Sequence, residues 1–306
     1  MRILNTMAAR AIPLIPRALI RKISRRYIAG DTLADALQRA QQLHAAGFVT
    51  TLDVLGETAT SVEETAATTA EYLALIEALQ RKGMATELSI KPSALGLLLD
   101  AALCQRNLLQ IAQAAARGGV NLCLDMEDTA CTDKTLALFN ATAEAGAPMG
   151  LALQAYLQRT YSDILPLAAS ASRLRICKGI YAEAPAHLVA GAAHNRAAIN
   201  AHFLQHVRTA LSAGSFVGIA THDAALIEAV IAWVKHEQIS TERFEFQMLL
   251  GVCDPLRRQL QAMGFKLRVY VPYGQDWYGY STRRIKENPR IAGYVLRALF
   301  RAHQAL

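Results

Sequence analysis

RVYVPYGQDWYGYSTRRIKENP, residues 268–289, reads as a strand running into a helix. Val269 and Val271 alternate with Tyr270, Pro272 and Gly274 supply the turn, and Asp276 is placed to cap the helix that follows. The same β-then-α unit repeats upstream. Runs rich in β-formers lie at 48–56, 85–91, 120–125, 150–156, 173–178, 216–221, 244–249 and 267–271, and Ala-rich segments of helical period, such as 61–81, 136–145 and 224–236, lie between them. Eight units of roughly 30 residues predict a TIM-type (β/α)8 barrel. A doubly wound sheet is the second choice, and no GxGxxG follows the first strand to support it. The expected organisation is a basic helical arm over residues 1–44 and a barrel over 45–306, modified by a C-terminal helix that closes over one end.

Composition sets the outer limits. Hydrophobic residues make up 53% of the 306, enough for a large core and too many for a disordered chain. Five cysteines, odd in number and without a CxxC, read as reduced thiols rather than a disulfide framework or a zinc site. The net charge is +7, and Arg2, Arg10, Arg17, Arg21, Lys22, Arg25 and Arg26 precede the first acid, Asp31. That arm is too broken by charge to span a bilayer. It reads equally as a helix packed on the body and as a membrane-surface contact, and a mitochondrial presequence would look similar. No nucleic-acid recognition motif accompanies the charge.

Barrel enzymes work at the C-terminal ends of their strands. Those ends carry Lys91, Asp125, Glu127, Gln154, Lys178, Tyr181, Thr221, His222, Asp223 and Tyr270. Lys91 (ELSIKPSALG) could form a Schiff base, hold an anion or pair with a barrel carboxylate, the last being the commonest outcome. Asp125 and Glu127 (NLCLDMED) share a side if the strand stays extended; no metal-ligand spacing accompanies them, and Asp125 is better placed to orient Lys91 or Tyr270. In RLRICKGIY, Arg175 sits mid-strand and needs an electron-rich partner to be buried, either a flavin edge or a structural carboxylate. Gly179 permits a flat ring close to the backbone. Thr221 and Asp223 can cap the next helix, whose N-terminus suits a phosphate. The adjacent Arg283 and Arg284 suit a small carboxylate, the plainer reading being a solvated face paired with Glu287. Arg before Glu is the poorer order for such pairs, and Tyr270, Tyr273, Trp277, Tyr278 and Tyr280 crowd the same segment.

Through KGIYAE, FEFQMLLGV and the 268–289 stretch, the chain from about 26 to 299 resembles proline dehydrogenase, in its short monofunctional bacterial form. The resemblance implies an FAD enzyme on a modified barrel. It would oxidise L-proline to Δ1-pyrroline-5-carboxylate by hydride transfer to flavin N5 and pass electrons to membrane quinone. On matching positions it implies that Lys91, Arg283 and Arg284 clamp the substrate carboxylate, that Tyr270, Leu249 and Tyr181 line the pocket, and that Asp125 supports the Tyr270 hydroxyl. Arg175 would face flavin N5, Gln154 the pyrimidine edge and Glu287 the ribityl chain; Cys177, Lys178, Gly179, Thr221 and His222 would hold the rest of the cofactor. A cytoplasmic protein is implied, with peripheral contact at the inner face of the membrane as an option, releasing product to a separate pyrroline-5-carboxylate dehydrogenase. Cys177 replaces the family's usual valine and Ile180 its usual small residue, which bears on substrate range. Two other readings stand beside this one. One is a class I aldolase-type lyase using Lys91 or Lys178 as Schiff-base amine; the other is a catalytically idle barrel docked on membranes through its arm.

Overall fold

The computed structural model describes residues 17–56, 58–147, 149–170 and 172–287, excluding the side chains of Leu19, Ile23 and 283–287. Eight parallel strands close in chain order: β1 Val49–Val54, β2 Thr86–Ile90, β3 Asn121–Leu124, β4 Gly150–Gln154, β5 Arg173–Cys177, β6 Phe216–Ala220, β7 Phe244–Leu249 and β8 Leu267–Tyr273. Each falls within or beside an expected run. The helices are α1 Arg17–Ser24, α2 Leu33–Ala45, α3 Val62–Lys82, α4 Ala101–Arg117, α5 Thr129–Glu144, α6 Thr160–Ala169, α7 Ile199–Ser212, α8 Ala224–His236, α9 Asp254–Ala262 and α10 Trp277–Glu287.

Local chemistry explains their ends. Ser61 caps α3 by accepting from the Glu64 amide, and Gly83 ends it in the left-handed region at φ 59°. α5 begins seven residues earlier than its periodicity predicts. Asp128 caps it, and Thr132 and Thr135 bury their methyl groups while their hydroxyls bond back to the carbonyls of Asp128 and Cys131, so polar letters occupy apolar positions. Pro272 does not turn the chain either. β8 continues to Tyr273, and the turn is at Gly274, where φ is 132° and a Cβ would lie 3.1 Å from the Leu55 carbonyl. A proline is tolerated there because pairing with β7 ends at Tyr270, so no ladder N–H is required.

Strand alternation sends Leu88, Ile176, Phe246 and Val269 outward under the helices, all essentially inaccessible. The opposite phase is not apolar. Glu87, Arg173, Arg175, Glu245 and Arg268 fill the lumen, bonded in one network: Arg175 to Glu87 (2.6 Å), Arg173 to Glu87 (3.4 Å), and Arg268 to Glu245. With Asp125, three acids balance three arginines, which is the condition for burying them. Burial pushes the Glu87 carboxyl up, but Arg268, Arg175 and Arg173 outweigh it and hold its pKa at about 2.

The helix after β8 does not take the eighth wall position. α2 packs on β1 and β8 instead, burying Ala36, Leu37, Ala40 and Leu43 in the barrel core. α10 lies at the C-terminal mouth, where Tyr280 meets Leu55 just past β1, and it packs against α1. Ile20, Tyr27 and Ile28 complete that cluster, while Arg17 and Arg21 sit 4.8 and 4.6 Å over the rings of Tyr278 and Trp277.

His206 on α7 is fully buried edge-on to Tyr161, with ring centroids 4.5 Å apart. Burial, with His202 adding to it, holds its pKa down at about 4. The unfolded chain therefore takes up this proton first as pH falls, so stability should decline from about pH 6.5 to 4, by up to about 3 kcal/mol. Urea midpoints against pH check this, and His206→Leu should flatten that limb.

Candidate active site

Pro92 ends β2 and starts a short 3-10 turn, Pro92–Leu95, leaving Lys91 extended at the mouth. Its ammonium donates to Asp53 Oδ1 and lies 4.0 Å from Asp125 Oδ2. Burial pulls the Lys91 pKa down, but Asp53 and Asp125 together lift it above the ordinary lysine value. Burial likewise pushes Asp53 upward against the pull of Lys91. Lys91 is thus a fixed cation and a poor Schiff-base amine, which weighs against the lyase reading.

Asp125 is the hub. Its Oδ1 accepts from Ser89 Oγ (2.6 Å) and Arg175 Nη1 (2.8 Å), and its Oδ2 from the Tyr270 hydroxyl (3.1 Å). Burial, then Asp125 and Asp53, raise the Tyr270 pKa well above its usual value, so the phenol stays a donor. Arg175 also donates to Ser89 (2.9 Å), Gln247 (2.8 Å) and Glu87, and its guanidinium is 5.5 Å from the Tyr270 ring. Carboxylates are therefore its electron-rich partners among the described residues. Leu249 is register partner to Tyr270, and its amide donates to His222 Nε2 at 2.9 Å.

Asp125 and Glu127 do not act as a pair. β3 stops at Leu124, and Glu127 instead accepts from the amide (2.8 Å) and hydroxyl of Ser93, fixing the turn behind Lys91. Gln154 donates to the Glu127 carbonyl at 2.6 Å.

The β5–β6 side of the mouth forms a second group. Cys177 ends β5 with its thiol 3.5 Å from the Leu153 carbonyl; Lys178 bonds Asp223 at 2.7 Å; Asp223 caps α8 through the Leu226 amide, with Thr221 Oγ1 accepting from the Asp223 amide. Gly179 has φ 95°, and a Cβ there would lie 2.2 Å from the Tyr156 ring. That ring already occupies the space beside this glycine. Gly179→Ala should cost about 2 kcal/mol through clash and backbone strain. Adding Tyr156→Ala should recover only the steric part, read as a urea midpoint.

Lys91, Asp125, Tyr270 and Arg175 thus share one network, with Leu249 beside it; Cys177, Lys178, Gly179, Tyr181, Thr221 and His222 lie on the other rim. Arg283, Arg284 and Glu287 are on α10, but their side chains lie outside the described residues. Asp53, Glu87, Ser89, Tyr156 and Gln247 belong to these groups and were not singled out from sequence. Asp53 had a signal: an acid in VTTLDVL at the same phase as Thr51.

A buried ion-pair network opening at the C-terminal mouth of an eight-strand parallel barrel is the arrangement of a barrel enzyme. Residues 36–297 match the family model described as Proline dehydrogenase, and the chain belongs to that family. It is 34% identical over 278 residues to proline dehydrogenase 1 of Bacillus subtilis (strain 168), covering 91% of both chains. It is 36% identical over 284 residues to the proline dehydrogenase of Deinococcus radiodurans, covering 91% of this chain and 90% of that one. The crystal structure of proline utilization A (PutA) from Bdellovibrio bacteriovorus inactivated by N-propargylglycine shares the fold, with TM-score 0.81 and 21% identity over 88% of this chain and 33% of that one. This chain is an oxidoreductase acting on proline. Among the described residues no helix is long and apolar enough to cross a membrane.

Proposed function

We propose that the chain oxidises L-proline to Δ1-pyrroline-5-carboxylate with FAD as its cofactor and membrane quinone as final acceptor. The observation that carries the substrate half is Lys91, an ammonium fixed at the mouth within reach of the Tyr270–Asp125 pair. Lys91, with Arg283 and Arg284, would take the proline carboxylate; Leu249 and the Tyr270 ring would pack on the pyrrolidine ring, and Tyr181 would wall the pocket. Asp125 holds the Tyr270 ring in place through its hydroxyl, which fixes the substrate's pose.

The donor set fits a flavin. Four of the five N–H donors of Arg175 have partners among the described residues, leaving one for an electron-rich ring edge. Gln154, Cys177, Lys178, Gly179, Thr221 and His222 would hold the remainder, joined by Glu287. When bound, FAD supplies the two-electron acceptor. The proline amine must be unprotonated to lose electrons, so turnover should rise toward alkaline pH. Arg17, Lys22, Arg25 and Arg26, on or just past α1, meet solvent or lie at the surface and suit an anionic membrane where quinone resides. A separate dehydrogenase would take the product.

Purified protein should be yellow and bleach anaerobically with L-proline; protein colourless even after added FAD removes the cofactor assignment. Arg284→Met should raise KM for proline about a hundredfold at unchanged flavin content. Loss of flavin instead would show that Arg284 is not part of the clamp.

A further inference from the structure

We propose that Glu183 is a positioning residue for proline: it latches the bend carrying Ile180 and Tyr181 to the first residue of α5. This rests on Tyr181 being a wall of the proline pocket.

The chain leaves β5 at Cys177 and turns at Gly179, so Ile180 and Tyr181 stand on an outlying bend, 46% and 38% exposed. Hydrogen bonds hold the backbone of this bend. The Arg196 guanidinium donates to the Gly179 carbonyl (2.9 Å), and the Tyr156 hydroxyl donates to the Tyr181 carbonyl (3.3 Å). Those two contacts secure the near end of the bend. The far end is taken by Glu183, whose two oxygens accept from the Thr129 amide (2.9 Å) and the Thr129 hydroxyl.

Thr129 opens α5, where first-turn amides lack intrahelical partners and the dipole favours an anion. Four residues earlier in the same segment is Asp125, which holds Tyr270, Ser89 and Arg175. In between, Glu127 is tied to Ser93 and its carbonyl to Gln154. The segment is therefore fixed to the substrate side of the barrel at several points. Glu183 ties the Tyr181 wall to it across β4, setting the wall's distance from the Asp125–Tyr270 side. A bond that holds a wall without touching the reacting atoms should act on ground-state and transition-state binding alike, which appears in KM rather than kcat.

The test is steady-state kinetics with L-proline on flavin-loaded full-length enzyme. Glu183→Ala should raise KM about tenfold with kcat within about twofold. Glu183→Gln, which keeps one acceptor, and Thr129→Val, which loses one donor, should fall between. Thr129→Val combined with Glu183→Ala should match Glu183→Ala alone, since both break one contact. An unchanged KM, or a lowered thermal midpoint and kcat at constant KM, overturns the latch and makes Glu183 a fold clamp. If Glu183→Ala does not fold, Glu183→Gln and Thr129→Val decide by the same criterion. Tyr181→Ala separates the two levels. If it leaves KM unchanged, the pocket reading fails and the inference with it; if it raises KM while Glu183→Ala does not, only the latch fails.

Discussion

Arg175→Met should lower stability by about 3–5 kcal/mol, a drop of roughly 10 °C in thermal midpoint, and abolish turnover. The substitution removes the cation that joins Glu87 to Asp125, leaving two lumen acids with fewer partners in a space almost without solvent. Arg173 and Arg268 still face Glu87, so the barrel should weaken rather than fail to assemble. The loss should also depend on pH, with a definite sign. Glu87 has a folded-state pKa of about 2, below its ordinary value of 4.5, so its contribution is complete above 4.5 and is lost as pH falls through 2. Less of that contribution survives without Arg175, so native and variant stabilities should converge as the solution is acidified below about pH 4.5. Adding Glu87→Gln should return part of the neutral-pH stability and none of the turnover. Parallel curves at all pH values would mean that Glu87 does not depend on Arg175.

Lys91→Met tests the cation at the mouth. The Asp53 carboxyl, already pushed upward by burial, would lose the ammonium that opposes that push. A cost of about 3 kcal/mol is expected, shrinking as pH falls and the Asp53 carboxyl takes up its proton. KM for proline should rise at least about a hundredfold, because one cation of the proposed carboxylate clamp is gone. Adding Asp53→Asn should restore stability without restoring KM. A folded Lys91→Met protein with native KM would place the carboxylate elsewhere.

The barrel was legible because strand and helix periods alternate regularly; the first turns of α5 and the end of β8 are two places where the structure departs from the reading. In both places the departure was local chemistry: threonines buried as hydrophobes, and a proline beyond the last rung shared with β7. The candidate site was legible where a polar residue ended a run, as at Lys91, Asp125 and Tyr270. Its supports were not. Glu87 and Arg175 are 88 residues apart, and nothing in either neighbourhood announces the other. Arg175 reads from sequence as needing either a flavin edge or a carboxylate, and its carboxylates lie on strands that meet it only once the barrel closes. Asp53 was concealed differently, as one acid in an apolar run whose partner lies on the next strand.

The exchange of places between α2 and α10 has a practical corollary. Because the wall position beside β1 and β8 is filled from the amino-terminal side, the last described helix is free to rest on the rim, and it does so against α1. A change within α1, such as Ile20→Ala, should therefore be felt at the C-terminal mouth of the barrel. Two helices far apart in the described chain, α1 and α10, act there as a single fitting.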